Sequence, residues 1–452
     1  MSNIIKNLKL SSENLNPQII SGKITSITGM TAYANGINTF LSLGDRCEVD
    51  SKRGKILSEV VGFSGESTLL LPFGTWDGVS PGNNVNITLS SDTISPSLEW
   101  KGRVINALAQ PIDGNQFLPK GSQKYFLKNS PPNAFLRKRV GEKLETCIKS
   151  FDVFTPICRG QRMGIFAGSG VGKSSLLSML AKNTNADIIV IGLVGERGRE
   201  VQEFIQEDLG EEGLKKSVLV VSTGDEPPLM RRQAAWTAVT VAEFFRDQGL
   251  NVLLLIDSVT RFAMAQREIG LSAGEPPTTK GYPPTVFSEL PRLLERAGPG
   301  TNVQGDITGM FTVLVDGDDH NEPISDTVRG ILDGHIVLDR KIADKGRYPA
   351  INLTKSVSRM LPDCHSEEEY IVMRAAKSLI NTYEDMEELI RIGAYREGTN
   401  FDVDVSIKFT KQLESYLNQR KNEKEDSTTT FINIYKMLLE SGAEIQLGEN
   451  ES

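Results

Sequence analysis

The chain contains 452 residues and carries a formal net charge of −8. This length exceeds what one ordinary hydrophobic core accommodates, so two or three domains are expected. With 39% hydrophobic and 24% charged residues, the composition is that of a soluble globular protein. The negative charge argues against a general nucleic-acid binder, which needs a basic face to displace counterions.

The apolar runs and the cysteines exclude further classes of protein. No run is apolar for long enough to span a bilayer, and the first residues, MSNIIKNLKLSSENLN, lack the apolar core and cleavage site of a signal peptide. The 4 cysteines form no CxxC pair, and the 3 histidines do not stand at ligand spacing. We therefore expect a protein that stays where it is made and whose thiols are buried and reduced.

The first zone, residues 1–95, is rich in short alternating segments that turn signals such as Asn-Gly and Pro-Gly separate. The predicted strands are Gly22–Ile27, Thr39–Leu43, Lys55–Gly62, Thr68–Leu71 and Asn84–Leu89. Short strands at this spacing predict a small closed β-barrel, with an open β-sandwich as the alternative. The polar stretch Ser90–Ser97 is typical of a linker.

In the second zone, residues 96–365, apolar strand patterns alternate with helical patterns. The strands are Arg162–Phe166, Asp187–Leu193, Ser217–Val221, Val252–Ile256 and Phe311–Val315. The helical stretches are Ser174–Lys182, Arg199–Gly210 and Gln233–Gln248. This alternation predicts an α/β domain, a parallel sheet with helices on both faces.

The third zone, residues 366–452, has a helical pattern and is predicted to form a C-terminal helical domain. Glu367–Tyr383 and Glu384–Ile392 place apolar residues at helical spacing. The charged run Asn418–Asp426 (NQRKNEKED) is predicted to be a solvated helix face or loop.

A phosphate-binding loop is predicted at Ala167–Ser174 (AGSGVGKS), between an apolar strand and the helix SLLSMLAK. Such a loop directs backbone N–H groups at phosphate oxygens, and the helix N-terminus adds about half a positive charge. Lys173 can reach the β- and γ-phosphates and the Ser174 hydroxyl can ligate Mg²⁺. Ala167 replaces the first glycine of the pattern GxxxxGK[ST]. The predicted ATP-binding residues are Gly168, Ser169, Gly170, Val171, Gly172, Lys173, Ser174 and Ser175.

Two carboxylates follow predicted strands and are candidates for the chemistry. Asp257 ends the run VLLLID, so it faces the ligand crevice of a parallel sheet and is predicted to hold Mg²⁺ through water. Glu196 follows the strand IIVIGL and is placed to orient or deprotonate a water, while Arg197 could neutralise the γ-phosphate. By spacing alone, an exposed ion-pair cluster explains the segment VGERGRE equally well.

Several segments resemble those of known ATPases. AGSGVGKS, VGERGRE, LLLIDSVTRF and RYPAINLTKSVSR occur in the same order in the catalytic subunits of rotary ATP synthases. TTKGYPPTVFSELPRLLERAG resembles the form seen in type III export ATPases. GILDGHIVLDRKIADKGRYPAI and TYEDMEELIRIGAY are similar to the flagellar branch of that family. The resemblance covers essentially the whole chain and implies a barrel, a P-loop domain and a helical domain.

The resemblance also implies roles for individual residues. Glu196 matches the water-activating glutamate, and Arg197 the arginine that senses the γ-phosphate. Tyr348 matches the aromatic residue that stacks on adenine. Arg359 matches an arginine finger that reaches the active site of the adjacent subunit, a contribution worth roughly 10³–10⁵ in kcat. Taken alone, Tyr348 would be a half-buried core tyrosine and Arg359 a surface arginine.

The function that the resemblance implies is Mg²⁺-dependent ATP hydrolysis by a homohexamer that energises or primes flagellar protein export. The expected partners are further copies of the chain, a dimeric regulator, a central stalk protein, export chaperones and the export gate. Membrane contact is expected to be peripheral, at the cytoplasmic face, and no nucleic acid is expected. The N-terminus is shorter than is usual in the family, which weakens the expected contact with the regulator.

Three alternatives stay open at this point. An injectisome ATPase shares the expected fold and chemistry. A rotary ATP synthase subunit would carry an acidic DELSEED-like segment in its helical domain, which this sequence lacks. A Rho-type RNA translocase is disfavoured by the net negative charge.

Overall fold

A computed structural model describes residues 20–88, 92–315 and 322–445 of the chain. Two compact units are present. The first comprises Met1–Thr93, Glu226–Met230 and Ala265–Thr285, and the second comprises Ile94–Asp225, Arg231–Met264 and Val286–Ser452. The division into domains 1–95, 96–365 and 366–452 stays a prediction. Within the described ranges, none of the helices combines the length and apolar character needed to cross a bilayer.

The first unit contains a closed six-stranded barrel in the order β1-β2-β5-β4-β3-β6. The strands are β1 Ser21–Thr28, β2 Thr31–Asn35, β3 Arg46–Ser51, β4 Gly54–Ser64, β5 Ser67–Pro72 and β6 Asn84–Ile87. Inward side chains such as Ile24, Val49 and Leu70 form its core. Closure pairs the strand edges with one another. The barrel prediction is confirmed, and the sandwich alternative is wrong.

One predicted strand of the barrel, Thr39–Leu43, is wrong. The structure has a 3₁₀ turn at Asn38–Phe40 instead. Ile37 and Leu41 are buried while Phe40 and Leu43 are exposed. Buried positions four residues apart match a helical turn rather than the two-residue period of a strand.

The second unit is built around an eight-stranded sheet in the order β18-β17-β12-β16-β15-β13-β14-β8. Its strands are β8 Val104–Asn106, β12 Arg162–Ala167, β13 Ile188–Glu196, β14 Ser217–Thr223, β15 Val252–Asp257, β16 Ile307–Leu314, β17 Gly334–Leu338 and β18 Ile351–Ser358. Every neighbouring pair is parallel except β17 and β18. The parallel strands are mostly buried on both faces, as a parallel sheet requires, and the predicted P-loop α/β core is confirmed.

Helices connect these strands and continue beyond them. They are α1 Lys149–Phe154, α2 Lys173–Asn183, α3 Gly198–Glu203, α4 Gly210–Lys215, α5 Pro228–Asp247, α6 Val259–Ser272, α7 Pro284–Leu294, α8 Pro323–Ile331 and α9 Arg340–Asp344, followed by α10 Glu367–Arg391, α11 Phe401–Leu417 and α12 Ser427–Ser441. A π-helical turn, Phe204–Leu209, joins α3 to α4. Short strands complete the chain: β7 Thr93–Ile94, β9 Tyr125–Phe126, β10 Lys143–Leu144 and β11 Ile157–Cys158.

The C-terminal helices confirm the predicted helical region. The two stretches predicted as Glu367–Tyr383 and Glu384–Ile392 form one continuous helix, α10. It begins with a capping box in which the Ser366 side chain and Glu369 satisfy each other's backbone N–H groups. Apolar residues of α11 and α12 join the buried cluster under the sheet, so the helical region shares a core with the nucleotide-binding region.

A fully buried ion pair fixes the segment that follows α7 to α5. The Arg296 guanidinium donates to both carboxylate oxygens of Glu243 at 2.8 and 2.6 Å. It also donates to the Thr240 hydroxyl at 2.9 Å and lies 5.5 Å from the centre of the Trp236 ring. Both side chains of the pair are at most 1% exposed. Removing one partner would leave a buried, uncompensated charge.

We expect Glu243→Ala to lower the free energy of unfolding by about 3–5 kcal/mol, because Arg296 would stay buried without its counter-ion. Urea denaturation followed by circular dichroism measures the change. Arg292→Ala, in the neighbouring helix α7, is the control, because Arg292 pairs with Glu289 at an exposed site. The control should cost at most about 1 kcal/mol. Equal losses in the two variants would contradict the prediction.

Candidate active site

The loop predicted to bind phosphate lies at the carboxyl end of the internal strand β12 and leads into α2. Gly170 and Gly172 have φ values of 77° and 93°, a region that side chains with a Cβ rarely adopt. Gly172 is the N-cap of α2 and has no side chain, so the first N–H groups of the helix have no capping side chain. Such a terminus attracts an anion. Phosphate oxygens suit this position.

The remaining residues of the loop hold its shape. The Val171 side chain is 1% exposed and joins the core beneath the loop. The Arg340 guanidinium donates to the Ser169 carbonyl at 2.7 Å. Gly168 is buried, Ser175 is partly buried, and Ser174 is exposed in the first turn of α2. The predicted residues therefore form one continuous segment, a backbone turn followed by the first turn of α2.

Lys173, the first residue of α2, forms ion pairs with the two carboxylates that the sequence singles out. Its Nζ lies 2.6 Å from Asp257 Oδ1 and 3.4 Å from Glu196 Oε1. The three side chains are between 5% and 13% exposed. Burial opposes the charge on Lys173, but the negative charges of Asp257 and Glu196 outweigh it and raise the pKa of the lysine. The structure thus brings three predicted residues together.

Asp257 has a second partner that holds its carboxylate in place. The Thr312 hydroxyl, on the adjacent strand β16, donates to Asp257 Oδ1 at 2.7 Å. Thr312 is completely buried. Because Lys173 and Thr312 both contact Oδ1, the geometry leaves Oδ2 of Asp257 for a water ligand of a metal ion.

Glu196 ends β13 beside a glycine that the local packing requires. Gly195 has a φ of 70°, and a Cβ there would lie 2.9 Å from the Cβ of Arg261. Burial, followed by the charge of Asp257, raises the pKa of the Glu196 carboxyl above its ordinary value. A carboxylate with a raised pKa is a better proton acceptor near neutral pH.

Arg261 belongs to this site although the sequence reasoning did not assign it. It lies in the first turn of α6, four residues after Asp257, and its charge lowers the pKa of Glu196 in opposition to burial. Its Nε is buried and has no hydrogen-bond partner among the described residues. The signal was present in the segment LLLIDSVTRF, which places an arginine one helical turn beyond a strand-ending aspartate.

The Tyr348 ring lies over the end of the phosphate loop. A Cβ added to Gly172 would lie 3.3 Å from Cδ1 of Tyr348. The tyrosine is 42% exposed, so the ring is accessible beside the loop. An exposed aromatic face at this position can take a flat base whose phosphates occupy the loop.

The structure does not bring Arg197 and Arg359 to the same cluster. The Arg197 side chain is 82% exposed and forms an ion pair with Glu200 at 3.2 Å. Arg359 follows β18 and is exposed, and its guanidinium makes no ion pair within residues 20–88, 92–315 and 322–445. The roles of both arginines stay predictions.

A divalent cation at this site would need ligands from the nucleotide as well as from the protein. No three His, Cys, Asp or Glu side chains of the described ranges cluster so that they could hold a metal ion. Mg²⁺ usually keeps several waters and takes one or two protein ligands together with phosphate oxygens. The exposed hydroxyl of Ser174 and the free oxygen of Asp257 fit that arrangement.

Comparison with known families matches two parts of the chain. Residues 147–358 match the ATP synthase alpha/beta family, nucleotide-binding domain. Residues 365–435 match the C-terminal domain of the type III secretion ATPase EscN. The first match contains the phosphate loop, both carboxylates and Tyr348.

Full-length relatives are similar to this chain over most of its length. The flagellum-specific ATP synthase of Caulobacter vibrioides is 54% identical, over 91% of this chain and 94% of that protein. That of Bacillus subtilis is 50% identical over 89% and 91%. The assembled EscN ATPase of enteropathogenic Escherichia coli superposes with a TM-score of 0.86 at 40% identity, over 92% of this chain and all of that one. The chain therefore belongs to the family of flagellum-specific ATP synthases, the type III export ATPases, and is an ATP hydrolase.

Proposed function

We propose that this chain hydrolyses Mg²⁺-ATP as one subunit of a homohexameric ring and thereby energises or primes the export of flagellar proteins. The observation that carries the proposal is the placement of Lys173 between Asp257 and Glu196 at the phosphate loop. The 54% identity to a flagellum-specific relative supports the biological assignment.

The ion pairs of Lys173 suggest how the site responds to nucleotide. In the structure, the Lys173 ammonium group pairs with both carboxylates. A bound triphosphate competes for the ammonium group, and Asp257 and Glu196 then need other partners. Mg²⁺, held by Ser174 and through water by Asp257, would supply positive charge at the phosphates. Glu196, released from Lys173, orients the attacking water or takes its proton.

We assign Arg261 to the active site of its own subunit and Arg359 to the active site of the adjacent subunit. Arg261 already lies beside Glu196 and is placed to stabilise charge within the subunit. Arg359 is exposed at the end of β18, which suits a finger that acts on an adjacent copy. Arg197 would have to leave Glu200 to reach the γ-phosphate.

The expected partners follow from what related proteins do. EscN has been solved as an assembled ATPase and in complex with its central stalk EscO. By analogy we propose self-assembly and a central stalk for this chain, with a dimeric regulator, export chaperones and the export gate as further partners. Its place would be the cytoplasmic face of the inner membrane at the flagellar base. The N-terminal segment expected to meet the regulator lies outside the described residues.

An injectisome ATPase remains the second candidate, because EscN, which shares the fold, belongs to such a system. The flagellum-specific relatives reach 54% identity, against 40% for EscN and 44% for another type III secretion ATPase of pathogenic bacteria, which favours the flagellum. Deleting the gene in the source organism should stop export of flagellar filament protein into the medium and leave effector secretion intact. Intact motility with lost effector secretion would reverse the assignment. Complementation with Lys173→Ala should fail where the wild-type gene succeeds.

Two substitutions separate nucleotide binding from catalysis. Lys173→Ala should abolish turnover and weaken ATP binding, because the loop loses its only side-chain ammonium group. Glu196→Gln should lower kcat by at least about 10²-fold, the contribution typical of a general base, while ATP still binds. Steady-state ATPase assays and equilibrium binding of a fluorescent ATP analogue measure the two effects. Loss of binding in Glu196→Gln would show that this residue is structural.

Mixing inactive variants tests whether Arg359 acts on the neighbouring subunit. Arg359→Ala and Glu196→Gln should each be inactive alone, because each ring then lacks one component at every interface. Mixed rings should regain part of the activity, because some interfaces pair an intact Glu196 with an intact Arg359. The double variant mixed with either single variant is the control and should stay inactive. If homogeneous Arg359→Ala rings hydrolysed ATP normally, the finger would be excluded.

A further inference from the structure

Tyr348 lies outside regular secondary structure, so its position depends on contacts made by its main chain. It stands in the loop between α9 and β18. Its carbonyl accepts a hydrogen bond from the Gln419 N–H at 2.7 Å. Its own N–H donates to Asn418 Oδ1 at 3.1 Å. Two consecutive residues of one loop therefore hold both polar main-chain groups of the tyrosine.

Gln419 is fixed in place by its own side chain. It is 3% exposed, although the sequence predicts a solvated segment here. Its Oε1 accepts from the Lys149 N–H at 3.1 Å, and its Nε2 donates to the carbonyls of Cys147 and Glu423 at 2.8 and 3.0 Å. All these bonds would be lost if Gln419 moved, and a buried amide without partners is costly.

Two further contacts attach the last turn of α11, just before this loop, to the nucleotide-binding region. The Lys149 ammonium donates to the Tyr416 carbonyl at 3.0 Å and lies 4.2 Å from the centre of the Tyr416 ring. Arg347, adjacent to Tyr348, is buried and forms an ion pair with Glu414 of α11 at 2.6 Å. The chain is thus anchored next to Tyr348 by Arg347 and just before Asn418 by Tyr416.

We propose that Asn418 and Gln419 are positioning residues for Tyr348, which keep its ring over the phosphate loop and so set the affinity for the base of ATP. This inference rests on the proposed stacking role of Tyr348. The two residues lie 70 and 71 positions away in sequence and need not touch the nucleotide themselves. They act through the main chain, so only the part of the affinity that comes from the base should depend on them.

Asn418 offers the cleanest test, because it is exposed and its replacement leaves the core intact. Asn418→Ala removes the acceptor for the Tyr348 N–H and should raise KM for ATP about three- to tenfold, the value of one hydrogen bond. kcat should change by less than about twofold, since Lys173 and Glu196 are untouched. Asn418→Asp keeps the acceptor oxygen and should restore KM. Asn422→Ala, an exposed residue of the same loop, is the control and should behave as wild type.

Inorganic tripolyphosphate provides a probe that has phosphates but no base. Its inhibition constant should be unchanged in Asn418→Ala and in Gln419→Ala, while KM for ATP rises in both. Equal weakening of tripolyphosphate and ATP would overturn the proposal, because it would show a general disturbance of the phosphate loop. Unchanged KM in both variants would also overturn it.

A double-mutant cycle with Tyr348→Ala distinguishes this inference from the proposed function on which it rests. If the positioning role is right, adding Asn418→Ala to Tyr348→Ala should raise KM no further. If the two effects multiply, the positioning role is wrong although Tyr348 still stacks. If Tyr348→Ala alone leaves KM unchanged, the stacking role itself is wrong.

Discussion

The ammonium group of Lys173 is the interaction on which the site depends. It satisfies two buried carboxylates that would otherwise repel each other at the end of adjacent strands β13 and β15. A like charge nearby disfavours the ionised form of a carboxylate, and a shared counter-ion opposes that effect. The two carboxylates are therefore held by the same ammonium group that a triphosphate would bind.

Much of the fold could be predicted because its signals are local. Strand β12, the glycine-rich loop and α2 follow one another directly, and continuous apolar runs mark the buried strands. The barrel was predicted from turn spacing, but Thr39–Leu43 was wrong because its apolar residues follow a helical period. The helical pattern predicted over Glu367–Tyr383 and Glu384–Ile392 is one continuous helix, because no residue between the two stretches interrupts the backbone.

The site could be predicted only where one short segment carries the signal. Asp257 and Glu196 each end an apolar strand, so the sheet rules place them. Arg261 lies only four residues after Asp257, but it was not assigned, because only the aspartate ends a strand and is therefore placed by the sheet rules. Thr312 is 55 residues from Asp257, and Asn418 is 70 residues from Tyr348. No local pattern encodes such pairings, since they arise only from strand order and from the packing of α11.

The close approach of Tyr348 to Gly172 has a consequence for ligand choice. A Cβ at Gly172 would lie 3.3 Å from Cδ1 of Tyr348, so the lack of a side chain there lets the aromatic ring stand close to the phosphate loop. A nucleotide can contact the ring with its base and the loop with its phosphates only if its ribose spans the distance between them. Gly172 thus helps to set the distance between the ring and the phosphate loop, and a methyl group added there would increase that distance for every nucleotide alike.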